Sequence, residues 1–377
     1  MRSSSTFSDS KRHYKILDAL RGVAALVVVV FHIFEVYSGG DHTKQWINHG
    51  YLALDFFFVL SGFVIAHAYD DRWSTMTMGS FFKRRLIRLH PMIIFGMTVG
   101  AICFYFGESD YFPKIADTGV LNLLVILLIG YTLLPIPPSA DIRGWSEMHP
   151  LNGPSWTLFF EYIANILYAL VLRKLPKIAL AVLTFLAALA LLHLAVTSPK
   201  GDIIGGWALD AEQLRIGFTR LLYPFLAGML LRRMVPVAAG KNTFLICSLL
   251  LVAVLSFPRV GSTEHLWANG LYDALVLILV FPLIIYWGAK GTVKHEVVDK
   301  ICTFLGDISY PIYIIHFPFI YVFYAWVVEK NIPVGQGALV GAGILIGTVI
   351  LSYAALKFYD EPLRRRLAKR YLYKGEE

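Results

Sequence analysis

Arg21 and His32 lie within one apolar stretch, residues 16–37, and they share a helix face. Eleven positions at about 100° each return a helix to within roughly 20° of its starting azimuth. At about 1.5 Å per residue the two side chains stand roughly 16 Å apart along the axis. An ionisable residue at membrane depth is costly and usually marks a functional pathway, although a salt-bridged packing pair is the competing structural role. The spacing suits one long substrate held at both ends. Imidazole also suits general-base work, because its ordinary pKa lies near neutral pH.

Four further groups extend this pair. Asp18 precedes Arg21 by three residues and can pair with it, and Glu35 follows His32 by three and can orient its ring. Lys83, Arg84, Arg85 and Arg88 form a basic cluster, in which Arg85 and Arg88 stand at i, i+3. Forked donors at that spacing can close on one phosphate; a topology signal with lipid contact is the plainer role. In the run from Asn152 to Glu161, Glu161 falls roughly 15 Å into a helix at standard rise. A buried carboxylate there must be paired, protonated or functional. Trp156 in the same run is either an interfacial anchor or a stacking face for a sugar ring. Ser309, Tyr313 and His316, at i, i+4, i+7, make one polar stripe on an apolar helix. Asp55, near the outer end of the second stretch, is another candidate partner for His32. Glu161, Asp55 and Glu35 thus remain alternatives for orienting the imidazole.

The elements that must position these residues are membrane helices. Of 377 residues 57% are hydrophobic and only 16% are charged, far from the composition of a soluble domain. About eleven apolar segments recur, near 16–37, 51–70, 91–107, 119–135, 151–172, 176–197, 213–231, 242–258, 266–288, 308–328 and 337–358. The expected fold is an all-α polytopic bundle. Basic connections alternate with acidic or mixed ones, except that three segments separate 71–90 from 173–177. The short segment 119–135, followed by Pro135, Pro137 and Pro138, is therefore expected to be re-entrant or broken. That leaves about ten spans with both termini cytoplasmic. Residues 79–90 read as a basic amphipathic interfacial helix leading into a span from Pro91. The expected division is a cytoplasmic segment 1–15, a transmembrane domain 16–358 and a basic cytoplasmic tail 359–377.

Net charge is +8, but the excess sits in short loops and in the tail, where topology and anionic lipid explain it better than nucleic acid does. Cys103, Cys247 and Cys302 lack metal-ligand spacing, and no metal is expected. There is no glycine-rich phosphate loop, His-Glu-x-x-His or Gly-x-Ser-x-Gly.

The ordered set LDALRGVAALVVVVFH (17–32), DFFFVLSGFVI (55–65), Arg85-x-x-Arg88, PSWTLFFE (154–161) and LGDISYPIYIIHFP (305–318) resembles the acyltransferase 3 family of membrane O-acyltransferases. The resemblance implies about ten spans, an acyl-CoA donor and transfer to hydroxyls, most often on sugars of glycolipids or exported polysaccharides. It places the family's essential His on His32 and its Arg on Arg21, with Arg85 and Arg88 at the CoA phosphates. The resulting expectation is a plasma-membrane O-acyltransferase taking acetyl-CoA or another acyl-CoA. Its catalytic residues would be His32, Glu161 and Asp55, and its donor would be held by Arg21, Arg84, Arg85 and Arg88. Trp156, Tyr313, His316, Ser309 and Glu35 would meet the acceptor, a carbohydrate or glycolipid. Many relatives carry a C-terminal hydrolase-like domain, so a separate periplasmic transferase is a candidate partner. The alternative is a secondary transporter with Arg21, His32 and Glu161 on a proton or substrate path.

Overall fold

A computed structural model describes residues 13–234 and 240–372. The helices in chain order are α1 (Lys15–Glu35), α2 (Ala53–Tyr69), α3 (Met78–Tyr105), α4 (Val120–Thr132), α5 (Trp156–Leu170), α6 (Lys177–Thr197) and α7 (Ala211–Met234). They continue as α8 (Phe244–Leu255), α9 (Leu266–Leu275), α10 (Phe281–Lys290), α11 (Glu296–Glu329), α12 (Val334–Ala355) and α13 (Glu361–Tyr371). No strand occurs among the described residues. Eight helical stretches there are long and apolar enough to cross a bilayer, and the chain is a multi-pass membrane protein.

α1 is the central element because it is apolar on two sides. Leu17, Leu20, Ala24, Val28 and Phe31, at i, i+3, i+7 spacings, enter a core built with α2, α8 and α10. Ala25, Val29 and Ile33 enter a second core with α3 and α11. Inside a bilayer lipid tails are as apolar as leucine, so close packing, rather than water exclusion, holds such helices together. Gly22 shows the consequence: a Cβ there would strike the Leu305 carbonyl of α11. α2 and α7 approach through a reciprocal pair, Gly62 against the Phe225 backbone and Gly228 against that of Val59.

Two expectations need correction. Residues 79–90 are not a separate interfacial helix; they are the first turns of α3, which runs through Pro91 without a break. Proline there removes one helical hydrogen bond but leaves the flanking turns intact. Arg85 is buried, so its face of α3 looks into the bundle. Second, α11 begins at Glu296 rather than near residue 308 and carries two internal prolines, Pro311 and Pro318. The basic tail is continuous with the bundle. One wide helical turn, 356–360, joins α12 to α13, which bears Arg364, Arg365, Arg366, Lys369 and Arg370. Lys374 and most of the expected 1–15 segment lie outside the described residues.

α4 has 13 residues, about 20 Å at helical rise and short of a roughly 30 Å hydrocarbon core. It ends at Leu133, held at φ 61°, and an ordered loop carries the chain to Ser155. α5 and α8 are also short, with 15 and 12 residues.

Candidate active site

One half of the site is a guanidinium cluster. Arg21 Nε donates to Ser309 Oγ at 2.8 Å, and its Nη2 lies 3.6 Å from Asp18 Oδ1. Arg85 Nη2 donates to Glu161 Oε1 at 2.8 Å, and the same oxygen accepts from Ser61 Oγ at 2.6 Å. Arg88, one turn along α3, is exposed. It has no ion-pair or hydrogen-bond partner among the described residues. All three arginines line one cavity of about 110 Å³, whose walls include Phe57, Leu60 and Leu158 and which also meets Ser309 and Tyr313. Like charges gathered around a partly apolar space, with one left uncompensated, are an arrangement that can receive an anion. Arg84 lies on a different azimuth of α3 and does not line it.

The other half is built on imidazole. His32 Nδ1 lies 2.7 Å from Glu35 Oε2, and Tyr324 Oη lies 2.8 Å from that carboxylate oxygen. With Nδ1–H donating to Glu35, the Nε2 lone pair of His32 is left available. The His316 ring stacks on His32, with centroids 5.6 Å apart and planes at 24°. His316 Nδ1 donates to the Ile312 carbonyl at 3.0 Å, while its Nε2 is buried without a partner. Tyr313, at the end of the cavity, has its ring 6.0 Å from that of His316 and its hydroxyl 2.8 Å from Thr157 Oγ1. Arg21, Ser309, Tyr313, His316, His32 and Glu35 therefore follow one another along the α1–α11 seam.

The other expected residues lie elsewhere. Asp55 does not reach His32: it is fully buried and forms a two-pronged ion pair with Arg220 of α7, at 2.6 and 3.1 Å. Two buried charges compensate each other better than either would a neutral ring. Glu161 serves Arg85 rather than His32, so Glu35 alone of the three carboxylates meets the imidazole. Trp156 is only 6% exposed. Gly206 packs against its ring and the Arg220 guanidinium lies 5.7 Å from its centroid. It offers no open face to a sugar, which corrects that expectation.

Arg220 and Tyr324 are the residues that sequence reasoning missed. Arg220 carried a signal, an Arg deep within an apolar span. Tyr324 carried none, since tyrosines are frequent in this chain.

Beside the His32–Glu35 dyad, loop 133–155 is tightly held. The Asp141 carboxylate accepts from the backbone N–H groups of Arg143, Gly144 and Ser146 at 2.7–2.9 Å. Arg143 lies over the Tyr321 ring, 3.5 Å from its centroid, and Tyr321 Oη donates to Glu147 Oε2 at 2.5 Å. Burial pushes the Glu147 carboxyl up to about 7. Asn152 Nδ2 donates at 2.7 Å to the Ile314 carbonyl, whose helical donor is lost because Pro318 has no N–H.

A family model described as an acyltransferase domain matches residues 14–357. The chain is 37% identical over 163 residues to "Protein 2 in picA locus" of Rhizobium radiobacter, covering 41% of this chain and 80% of that protein. It is 23% identical to the O-acetyltransferase OatA of Staphylococcus aureus over 97% of this chain and 59% of OatA. A putative O-acetyltransferase of the same species is also 23% identical, over 94% of this chain and 58% of its own length. This chain thus spans somewhat under two thirds of those two relatives. No solved structure matches it.

Proposed function

The chain belongs to the family described as an acyltransferase domain, and from that premise we propose that it transfers an acyl group, acetyl first of all, from acyl-CoA to a sugar hydroxyl. The acceptor class is a glycolipid, lipo-oligosaccharide or exported polysaccharide, in keeping with the likeness to O-acetyltransferases. The observation that carries this reading is the continuity of the α1–α11 seam. A cluster of three arginines lies at one end of it and a carboxylate-held imidazole at the other.

Arg88, Arg85 and Arg21 hold the phosphates of CoA, Arg88 contributing the charge that no carboxylate neutralises. The pantetheine arm runs past Ser309 and Tyr313 and brings the thioester to His32, a distance of roughly 16 Å at helical rise. The acceptor hydroxyl attacks the thioester carbonyl as His32 Nε2 takes its proton. Collapse of the tetrahedral adduct breaks the C–S bond, and the CoA thiolate receives that proton from His32. Glu35 holds Nδ1–H throughout, fixing the tautomer and steadying the imidazolium. Depth in the bundle limits water and hence competing hydrolysis. With the arginines on the cytoplasmic side, donor and both termini share that side of a plasma membrane.

The test uses purified protein, radiolabelled acetyl-CoA and alkali-deacetylated envelope glycan from the source cells. His32→Ala should lower transfer by roughly 10²–10⁴-fold. Glu35→Gln should lower kcat by about tenfold or more with the KM for acetyl-CoA nearly unchanged. Near-normal turnover in His32→Ala sinks the base assignment.

A further inference from the structure

We infer that Trp145 is the acceptor platform: its indole stacks on the C–H face of a pyranose ring and so brings a ring hydroxyl to His32. This rests on the transfer reading above and adds to it a residue and a ring-shaped ligand. Of the eight tryptophans in the chain, Trp145 is the one coupled to the dyad. Its ring lies 5.9 Å from that of Tyr324, and the Tyr324 hydroxyl lies 2.8 Å from Glu35. Tyr111 stands edge-on to it at 6.2 Å and 89°. Tyr111 is held in place by its backbone N–H, which donates to Glu329 Oε1 at 3.1 Å. Both rings are half-buried, and the indole N–H has no hydrogen-bond partner among the described residues. The side chains of His32 and Glu35 are 18% and 29% exposed, so the pair is not sealed inside the bundle.

The backbone shows that this presentation is built. Gly144 and Ser146, on either side of Trp145, have φ of 108° and 57°. A serine in the left-handed region costs energy and persists only where its surroundings hold it there. Here Asp141 does so, clamping the N–H groups on both sides of Trp145. Phe112 and Tyr321 pack around the indole at 5.1 and 5.5 Å, fixing its plane. A large, rigid, amphipathic side chain that is ordered before binding loses little entropy on contact. An aromatic face beside a phenol and a carboxylate suits a pyranose, which is apolar on its faces and hydroxylated at its rim.

The experiment titrates the same deacetylated glycan at saturating acetyl-CoA. Trp145→Ala should raise the acceptor KM by ~10-fold or more, with the acetyl-CoA KM within about twofold of wild type. Trp145→Phe, which keeps an aromatic face, should recover the acceptor KM to within roughly threefold. If the alanine variant fails to fold, Trp145→Leu, which keeps apolar bulk without an aromatic face, carries the test with the same rise in acceptor KM expected. An unchanged acceptor KM in Trp145→Ala, or an equal defect in Ala and Phe variants that both remain monodisperse, overturns the platform and leaves the transfer reading intact. No transfer by the wild-type protein overturns that reading, and the platform with it.

Discussion

At the scale of single residues, charge compensation separates binding from structure. Arg21, Arg85 and Arg88 share a cavity, yet Arg85 already has Glu161 and Arg21 has Asp18 and Ser309. Arg88 is the guanidinium left for an incoming anion. Arg88→Ala should therefore raise the KM for acetyl-CoA by about 10–100-fold while kcat changes little, since a ground-state contact is lost. Steady-state kinetics with varied donor checks this, and an unchanged donor KM would reduce the cluster to a topology signal. The seam from Arg21 to His32 could be read from sequence because helical periodicity fixes azimuth without tertiary information. Glu35 was one of three carboxylates within reason. Distance decided among them: Glu35 is a helical turn from His32, whereas Asp55 and Glu161 meet arginines that chain position could not pair with them.

At the scale of elements, the Asp55–Arg220 pair joins α2 to α7 across the reciprocal glycine contact. Its partners are 165 residues apart, and no local spacing rule reaches that far. Both side chains are buried, with exposures of 0% and 1%. Asp55→Ala strands the Arg220 charge and should cost roughly 3–5 kcal/mol. The apolar double replacement Asp55→Leu/Arg220→Met should recover most of that loss. Thermal unfolding in detergent checks both; equal stability of wild type and Asp55→Ala would show the pair to be dispensable. Helix identity was legible in hydropathy, whereas boundaries were not. α3 passes through Pro91 because a single missing hydrogen bond does not end a helix that the bundle packs on both sides.

At the scale of the whole molecule, loop 133–155 and the bundle form one alkali-sensitive unit through Glu147. Its carboxyl, ordinarily near 4.5, is raised to about 7 by burial. A raised folded pKa means that the neutral form is the one the fold prefers. The stability it contributes is full below about 4.5 and is lost as pH rises through about 7, with a ceiling of roughly 3 kcal/mol. Glu147→Gln, neutral at every pH, should unfold at a higher temperature than wild type at pH 8 and near the wild-type temperature at pH 5. A stability gap that does not change with pH would refute this. Nothing in the sequence distinguished Glu147, since its burial comes from Arg143, Tyr321 and the loop folding over them.

The crowding of partners on α11 also has a consequence for biogenesis. Ser309 receives Arg21, His316 covers His32, Tyr324 meets Glu35, and the Ile314 carbonyl freed by Pro318 receives Asn152. Asn152 leaves the ribosome 162 residues ahead of its partner, an interval of about ten to thirty seconds at ~5–20 residues per second. Until α11 arrives, the nascent bundle holds Arg21, His32 and Glu35 in the bilayer without their α11 contacts. The α1–α11 seam thus closes late in synthesis, and a chain stalled before α11 is one that membrane quality control can recognise by its unmatched charges.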